Sequence, residues 1–357
     1  MARLGILGLP NTGKTTVFNA LTGLEAPVAA HPFSTVEPNQ GVALVPDEVL
    51  VRAADVEKSK KTVHATLELL DLPAMARAGS SRGLASQFLA RLREMEALLV
   101  VLRAFDDPAV PHDESGLDPV SQAEELLLEL ALADAEVFER RLERLAKEAT
   151  GDSSKRPAAA AFARAVELLA AGSALRTEEW SEEALRAFRD SAPLTLKPAV
   201  WVVNVGEDQS LDPTAAVVDV VPPGDTVVAI SARLEEEAAH LDPADRTELF
   251  EGLGLGEGAL VKVVRAAHDA LGLISFYTLG PKEAHAWTVR RGALAPEAAG
   301  KIHTDLQRGF IRAEVATIEE VIEAGGWDAA KRANKVRVEG KDYCVAEGDV
   351  IVVRFSI

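Results

Sequence analysis

Five short apolar runs, Leu4–Gly8, Thr66–Asp71, Ala97–Phe105, Pro198–Val205 and Thr226–Ser231, are continuous rather than alternating and rich in Val, Ile and Leu. That is the pattern of strands buried on both faces. Helical stretches lie between them, so the alternation predicts an α/β domain on a parallel sheet. Residues 118–190 break the alternation. Asp118-Pro119 supplies an N-cap followed by proline at the first helical position. Leu127, Leu130, Ala131, Phe138, Leu142 and Leu145 then recur on one helical face. Gly151-Asp152-Ser153-Ser154 ends that helix and Pro157–Ala171 begins another. An antiparallel helical hairpin inserted between two strands is expected, with the apolar stripe as its core. Further on, Ser275–Leu279, His285–Arg290, Ile311–Thr317 and Val350–Phe355 read as strands of a small mixed domain, with Glu297–Arg308 helical. The divisions predicted are 1–117 with 194–272, then 118–193, then 273–357.

Composition narrows the class. Apolar residues make up 48% and charged residues 26% of 357, which excludes wholesale disorder. The 38 Lys/Arg against 56 Asp/Glu leave a net charge of −18, so any contact with nucleic acid needs a local basic patch. Ile274–Ile357 carries equal numbers of each sign, so all of the excess lies before it; this shift, with Gly272 and Gly280-Pro281, marks the last boundary. A lone cysteine, Cys344, allows no internal disulfide and fits a reducing compartment; its apolar strand context predicts a buried, inert thiol. There is no apolar stretch of the roughly 20 residues that a membrane span needs. Pro10–Lys14 interrupts the N-terminal apolar run, which sets it apart from a signal peptide. The expectation is a soluble cytoplasmic protein with no membrane partner.

The candidate chemistry starts at Gly8-Leu9-Pro10-Asn11-Thr12-Gly13-Lys14-Thr15, the pattern GxxxxGK[ST], following a strand and opening a helix. Glycines let successive N–H groups turn inward toward phosphate oxygens, and the helix N-terminus adds positive potential. Asn11, Thr12, Gly13, Lys14, Thr15 and Thr16 are therefore assigned to nucleotide binding, with Lys14 on the β/γ-phosphates and the Thr15 hydroxyl on Mg2+. Thr35, in the loop His31–Pro38, is placed to close over Mg2+ and the γ-phosphate. Asp71, at the end of its strand, is placed for a water-mediated Mg2+ contact. In GTPases a later strand ends in NKxD, whose Asp reads guanine. Here it ends Asn204-Val205-Gly206-Glu207. The lysine is missing, a carboxylate would be repelled by adenine N1, and Asn pairs with adenine N6 and N7. These residues favour ATP, with GTP as the alternative.

On these motifs the chain resembles the Obg-like ATPase family, also called YchF, over essentially its full length. Further marks are Pro32–Asn39, Ser231-Ala232 in a base-binding loop, Gly300–Asp305 and Glu339–Tyr343. The resemblance implies a P-loop NTPase fold with the inserted hairpin and a C-terminal α+β TGS domain of β-grasp, ubiquitin-like type. It implies a Mg2+-dependent ATPase associated with the ribosome. It also implies base and loop contacts from Asn204, Val205, Glu207, Ser231 and Ala232. Met75 stands where Ras-like enzymes carry a water-positioning glutamine, so unassisted turnover should be slow. Asn11 matches the asparagine with which related enzymes hold K+ beside the phosphates, an ion that would supply charge in place of an arginine finger. Catalysis is thus assigned to Lys14, Thr35 and Asn11.

One element departs from the family pattern. DxxG reads Asp71-Leu72-Pro73-Ala74, and Pro73 with the Ala74 Cβ restricts a loop that glycine would leave free. A nucleotide-gated binding module with little hydrolysis, or a GTPase of ribosome assembly, stay open as alternatives. Lys331, Arg332, Lys335, Arg337 and Lys341, opposed locally by Glu339 alone, form a candidate ribosomal-RNA patch. The plainer reading is a solvated helix end and loop. His303 reads first as a hydrogen-bonded structural histidine.

Overall fold

A computed structural model of the chain describes residues 2–26, 38–72, 82–110, 117–206, 213–239, 241–252 and 258–356. In chain order its elements begin with β1 (Ala2–Leu7), α1 (Lys14–Thr22), β2 (Asn39–Leu44), α2 (Glu48–Glu57), β3 (Thr62–Val63) and β4 (Thr66–Asp71). Next come α3 (Arg82–Arg93), β5 (Ala97–Ala104), the long α4 (Pro119–Gly151), α5 (Arg156–Ala170) and α6 (Glu182–Phe188). β6 (Ala199–Val205), α7 (Thr214–Val218), β7 (Thr226–Ile230), α8 (Ala232–Ala239), α9 (Pro243–Gly252) and α10 (Ala259–Ala270) follow. The chain finishes with β8 (Leu273–Thr278), β9 (Ala284–Arg290), α11 (Ala295–Ile302), α12 (Thr304–Arg308), β10 (Phe310–Thr317), α13 (Ile318–Ala324), α14 (Trp327–Arg332), β11 (Arg337–Glu339) and β12 (Asp349–Phe355).

Contacts divide the chain into two compact units, Ala2–Val42 with Glu68–Val263, and Ala43–Leu67 with Val264–Ile357. The first holds the P-loop NTPase sheet, ordered β2-β4-β1-β5-β6-β7, with β1, β5, β6 and β7 paired in parallel. Every residue of β5 is buried, as its unbroken apolar run requires, and Trp201 of β6 is fully buried beside it. The strand that periodicity missed is β2. It alternates exposed and buried positions at the sheet edge and contains Gln40 and Gly41 beside a proline-rich loop, so it read as loop.

The helical hairpin belongs to this same unit. Its first helix buries Ala123, Leu126 and Leu130 in the sheet's core, and Gln122 pairs with the β5 backbone, accepting from Arg103 N–H at 2.7 Å and donating to its carbonyl at 2.8 Å. Farther out, Phe138, Phe162 and Phe188 meet with ring centroids 4.7–5.1 Å apart. Between these cores, the end of α3 is fastened to α4: Arg93 Nη1 lies 2.7 Å from Asp134 Oδ1. Fully buried Asp134 also accepts from Leu194 N–H, Thr195 N–H and the Thr195 hydroxyl at 2.8–3.0 Å.

The second unit carries a sheet ordered β11-β10-β12-β8-β9-β3. Its core joins Ile274, Phe276, Val315 and Ile351 to Ala295, Ala298 and Ala299 of α11. The predicted range 273–357 omits two of its parts. β3 pairs in parallel with β9, Thr62 opposite Ala284 and Val63 opposite His285. α2 is anchored at both ends, its N-cap Asp47 accepting from the Tyr277 hydroxyl at 2.7 Å and Glu57 accepting from Trp327 N–H. The polar run Lys58–Lys61 between them hid this short strand from a hydropathy reading.

Three expectations in this unit meet observations. Cys344 is exposed, not buried, because its neighbour Val345 takes the inward position. His303 caps α12, its Nδ1 accepting from Asp305 N–H at 3.1 Å. The basic group is not opposed by Glu339 alone. Glu314 of β10 meets Lys331 at 2.8 Å, Glu320 of α13 meets Lys335 at 4.0 Å, and Arg337 takes Glu339 at 3.4 Å. Sequence proximity could not reveal carboxylates brought in from other elements.

Candidate nucleotide site

The turn from β1 into α1 depends on residues with unusual backbone freedom. Asn11 has φ 62° and Gly13 φ 89°, the left-handed region that glycine enters without steric cost. Space matters as much: a Cβ on Gly13 would lie 2.3 Å from Asn204 Nδ2, and one on Gly8 2.4 Å from the Val101 carbonyl oxygen. α1 has no side-chain cap and no acidic residue in its first turn. No anionic side chain of its own cap or first turn therefore competes for its N-terminal N–H groups, as suits an anion site.

Lys14, directly at this terminus, is buried and donates to the Leu9 carbonyl at 2.7 Å. Burial lowers its pKa to about 8, and the Asp71 charge works in the opposite direction. Thr12, also buried, donates to the same carbonyl at 3.2 Å. The Thr15 hydroxyl donates to Asp71 Oδ2 at 2.9 Å, and Asn39 Nδ2 reaches that oxygen at 3.1 Å. Asp71 Oδ1 is buried with no hydrogen-bond partner among the described residues. Burial raises the Asp71 pKa, opposed by the Asn39 and Thr15 hydrogen bonds and the Lys14 charge. A hydroxyl beside a carboxylate with one unpaired oxygen is a donor set that fits Mg2+ or its water ligands.

Asn204 closes the other side. Its Nδ2 donates to the Thr12 carbonyl at 3.0 Å and its Oδ1 accepts from Ala232 N–H at 3.0 Å. The carboxamide thus clasps the phosphate loop to the start of α8, using one of its two Nδ2 hydrogens and one Oδ1 lone pair. Val205 and Ser231 are half-buried at the ends of β6 and β7, and Thr16 is half-buried on α1. Thr35, Glu207, Ala74 and Met75 lie outside the described residues. Phe105 was read only as a strand end, yet Cβ atoms placed on Gly13 and Gly206 would each lie 3.9 Å from it. The Arg103 guanidinium stands 4.5 Å over its ring. An aromatic just past a buried strand, level with the phosphate loop, was the available signal.

Residues 3–137 match a family described as 50S ribosome-binding GTPase, and residues 273–356 match the YchF GTPase C-terminal family, described as a protein of unknown function. The ribosome-binding ATPase YchF of Bacillus subtilis is 38% identical over 99% of both chains. That of Escherichia coli O157:H7 is 39% identical over the same shares. The chain belongs to the YchF family of Obg-like ATPases. Obg-like ATPase 1 of Pongo abelii is 33% identical, covering 99% of this chain and 92% of its own. The solved YchF GTPase of Schizosaccharomyces pombe superposes with TM-score 0.86 at 29% identity, over 99% of this chain and 97% of that one. Both halves of the family are therefore represented here, from the phosphate loop to the final strand.

Proposed function

We propose that this chain binds ATP with Mg2+, cleaves its β–γ phosphoanhydride slowly, and uses the change as a switch on the ribosome. The observation that carries this reading is the convergence of Lys14, Thr15 and Asp71 beside an uncapped helix N-terminus. Lys14 would exchange the Leu9 carbonyl for β/γ-phosphate oxygens, recovering a charged partner for a buried ammonium. Mg2+, held by Thr15 and through water by Asp71, would neutralise phosphate charge as it develops. Thr35 would close from its loop. Water attacks the γ-phosphorus, the bond to ADP breaks, and phosphate leaves. Met75 offers no hydrogen bond to orient that water, which supports slow turnover. K+ at Asn11 would supply the missing charge; equal rates in KCl and NaCl would remove it from the scheme.

Preference for ATP over GTP rests on the absent NKxD lysine and aspartate and on Asn204, whose second Nδ2 hydrogen and second Oδ1 lone pair lie outside its clasp and suit the adenine edge. The relatives are named ribosome-binding ATPases, which supports a ribosomal partner and, with it, a cytoplasmic location. Competition of ATP against GTP for a fluorescent nucleotide, with product analysis, is the test. ATP is expected to compete at least about tenfold better, about 1.4 kcal/mol; a preference for GTP would overturn the base reading. Ala74 favours a second reading, a nucleotide-gated binding module with little hydrolysis. Single-turnover assays of Ala74→Gly separate the two: a large gain in rate supports it, and an unchanged rate removes it.

A further inference from the structure

We infer that Asn39 is a positioning residue for the divalent metal, holding the Asp71 carboxylate in the one rotation that offers Oδ1 to it. The inference rests on the Mg2+ site proposed above. Asn39 opens β2, which neighbours β4 in the sheet, and Asp71 ends β4. Asn39 Nδ2 and the Thr15 hydroxyl both donate to Asp71 Oδ2, at 3.1 and 2.9 Å. Two donors from different elements fix a side chain that one would leave free to turn about its last bond. The consequence is visible at the other oxygen: Oδ1 is buried and has no partner among the described residues. A buried acceptor without a partner is rare and calls for a ligand. Thr15 keeps a lone pair free for a cation while donating its proton, so the metal's arrival leaves both bonds to Oδ2 intact. Supporting partners of this kind orient metal-binding groups, and their loss typically costs about 10–100-fold in metal affinity.

The test is binding of a fluorescent, non-hydrolysable ATP analogue to the full-length protein across a Mg2+ titration and in EDTA. In Asn39→Ala, the Mg2+ concentration giving half of the affinity gain should rise about tenfold. Affinity in EDTA should stay within about twofold, a pattern that mere loosening of β2 would not produce. Asn39→Asp keeps the shape but sets a like charge beside Asp71, and should shift the midpoint further. A wild-type midpoint in both variants would overturn the inference, as would an equal loss in EDTA. If the wild-type protein gains no affinity from Mg2+ at all, the proposed site falls and this role with it.

Discussion

Gly13 carries two demands at once, a φ of 89° and a space that Asn204 Nδ2 already fills. Alanine there must push away the clasp that ties the phosphate loop to α8. Gly13→Ala is expected to weaken ATP binding at least about a hundredfold, and isothermal titration would register it. Asn204→Ala separates clasp from base reading. If the residue acts by holding Thr12 and Ala232, ATP and GTP affinities should fall together, leaving their ratio within about twofold. A selective loss of ATP would instead mark a direct adenine contact. His268 gives a pH signature of its own. It is buried with Nε2 unpaired among the described residues, and burial lowers its pKa below the ordinary 6.5, with Asp269 and Asp47 opposing the shift and Arg291 adding to it. Above pH 6.5 both folded and unfolded forms are neutral and nothing is lost. As pH falls through 6.5, the unfolded chain takes a proton that the folded chain resists, so stability declines. Melting temperatures between pH 7.5 and 5 should therefore drop more steeply in the wild type than in His268→Gln.

At the scale of elements, the weight falls on junctions. Phe138, Phe162 and Phe188 form the outer core of the helical hairpin, and Phe138→Ala should cost about 3–5 kcal/mol in urea unfolding. Arg93 and Asp134 join α3 to α4. Arg93→Ala leaves Asp134 buried without its charge partner and is expected to cost about 3–5 kcal/mol. The double change to uncharged residues of similar volume should recover much of that loss; full additivity of the two singles would refute coupling. Five strands of the six-stranded sheet were legible because each is a mainly apolar run bounded by turn residues. The hairpin was legible because its stripe keeps helical spacing through Phe138 and Leu145. β2 and β3 were not: one alternates at an edge, the other has only two residues among charges. The phosphate loop was legible as a motif, whereas Asn204 as a clasp and Asn39 beside Asp71 depend on contacts that spacing does not encode. Cys344 and the basic group misled for the same reason, since exposure and pairing are set by distant strands.

Across the whole molecule, both compact units are discontinuous in the chain: Ala43–Leu67 belongs with Val264–Ile357 and interrupts the unit formed by Ala2–Val42 and Glu68–Val263. During synthesis β3 leaves the ribosome long before β9, which begins at Ala284, exists to receive it. The same holds for Asp47, whose hydroxyl partner is Tyr277. Pairings so far apart in sequence are slow to close and leave their early half waiting. The nascent chain must therefore carry an unmatched strand through most of its own translation, and premature termination before residue 273 would strand it permanently, exposing a β-edge where aggregation or proteolysis begins.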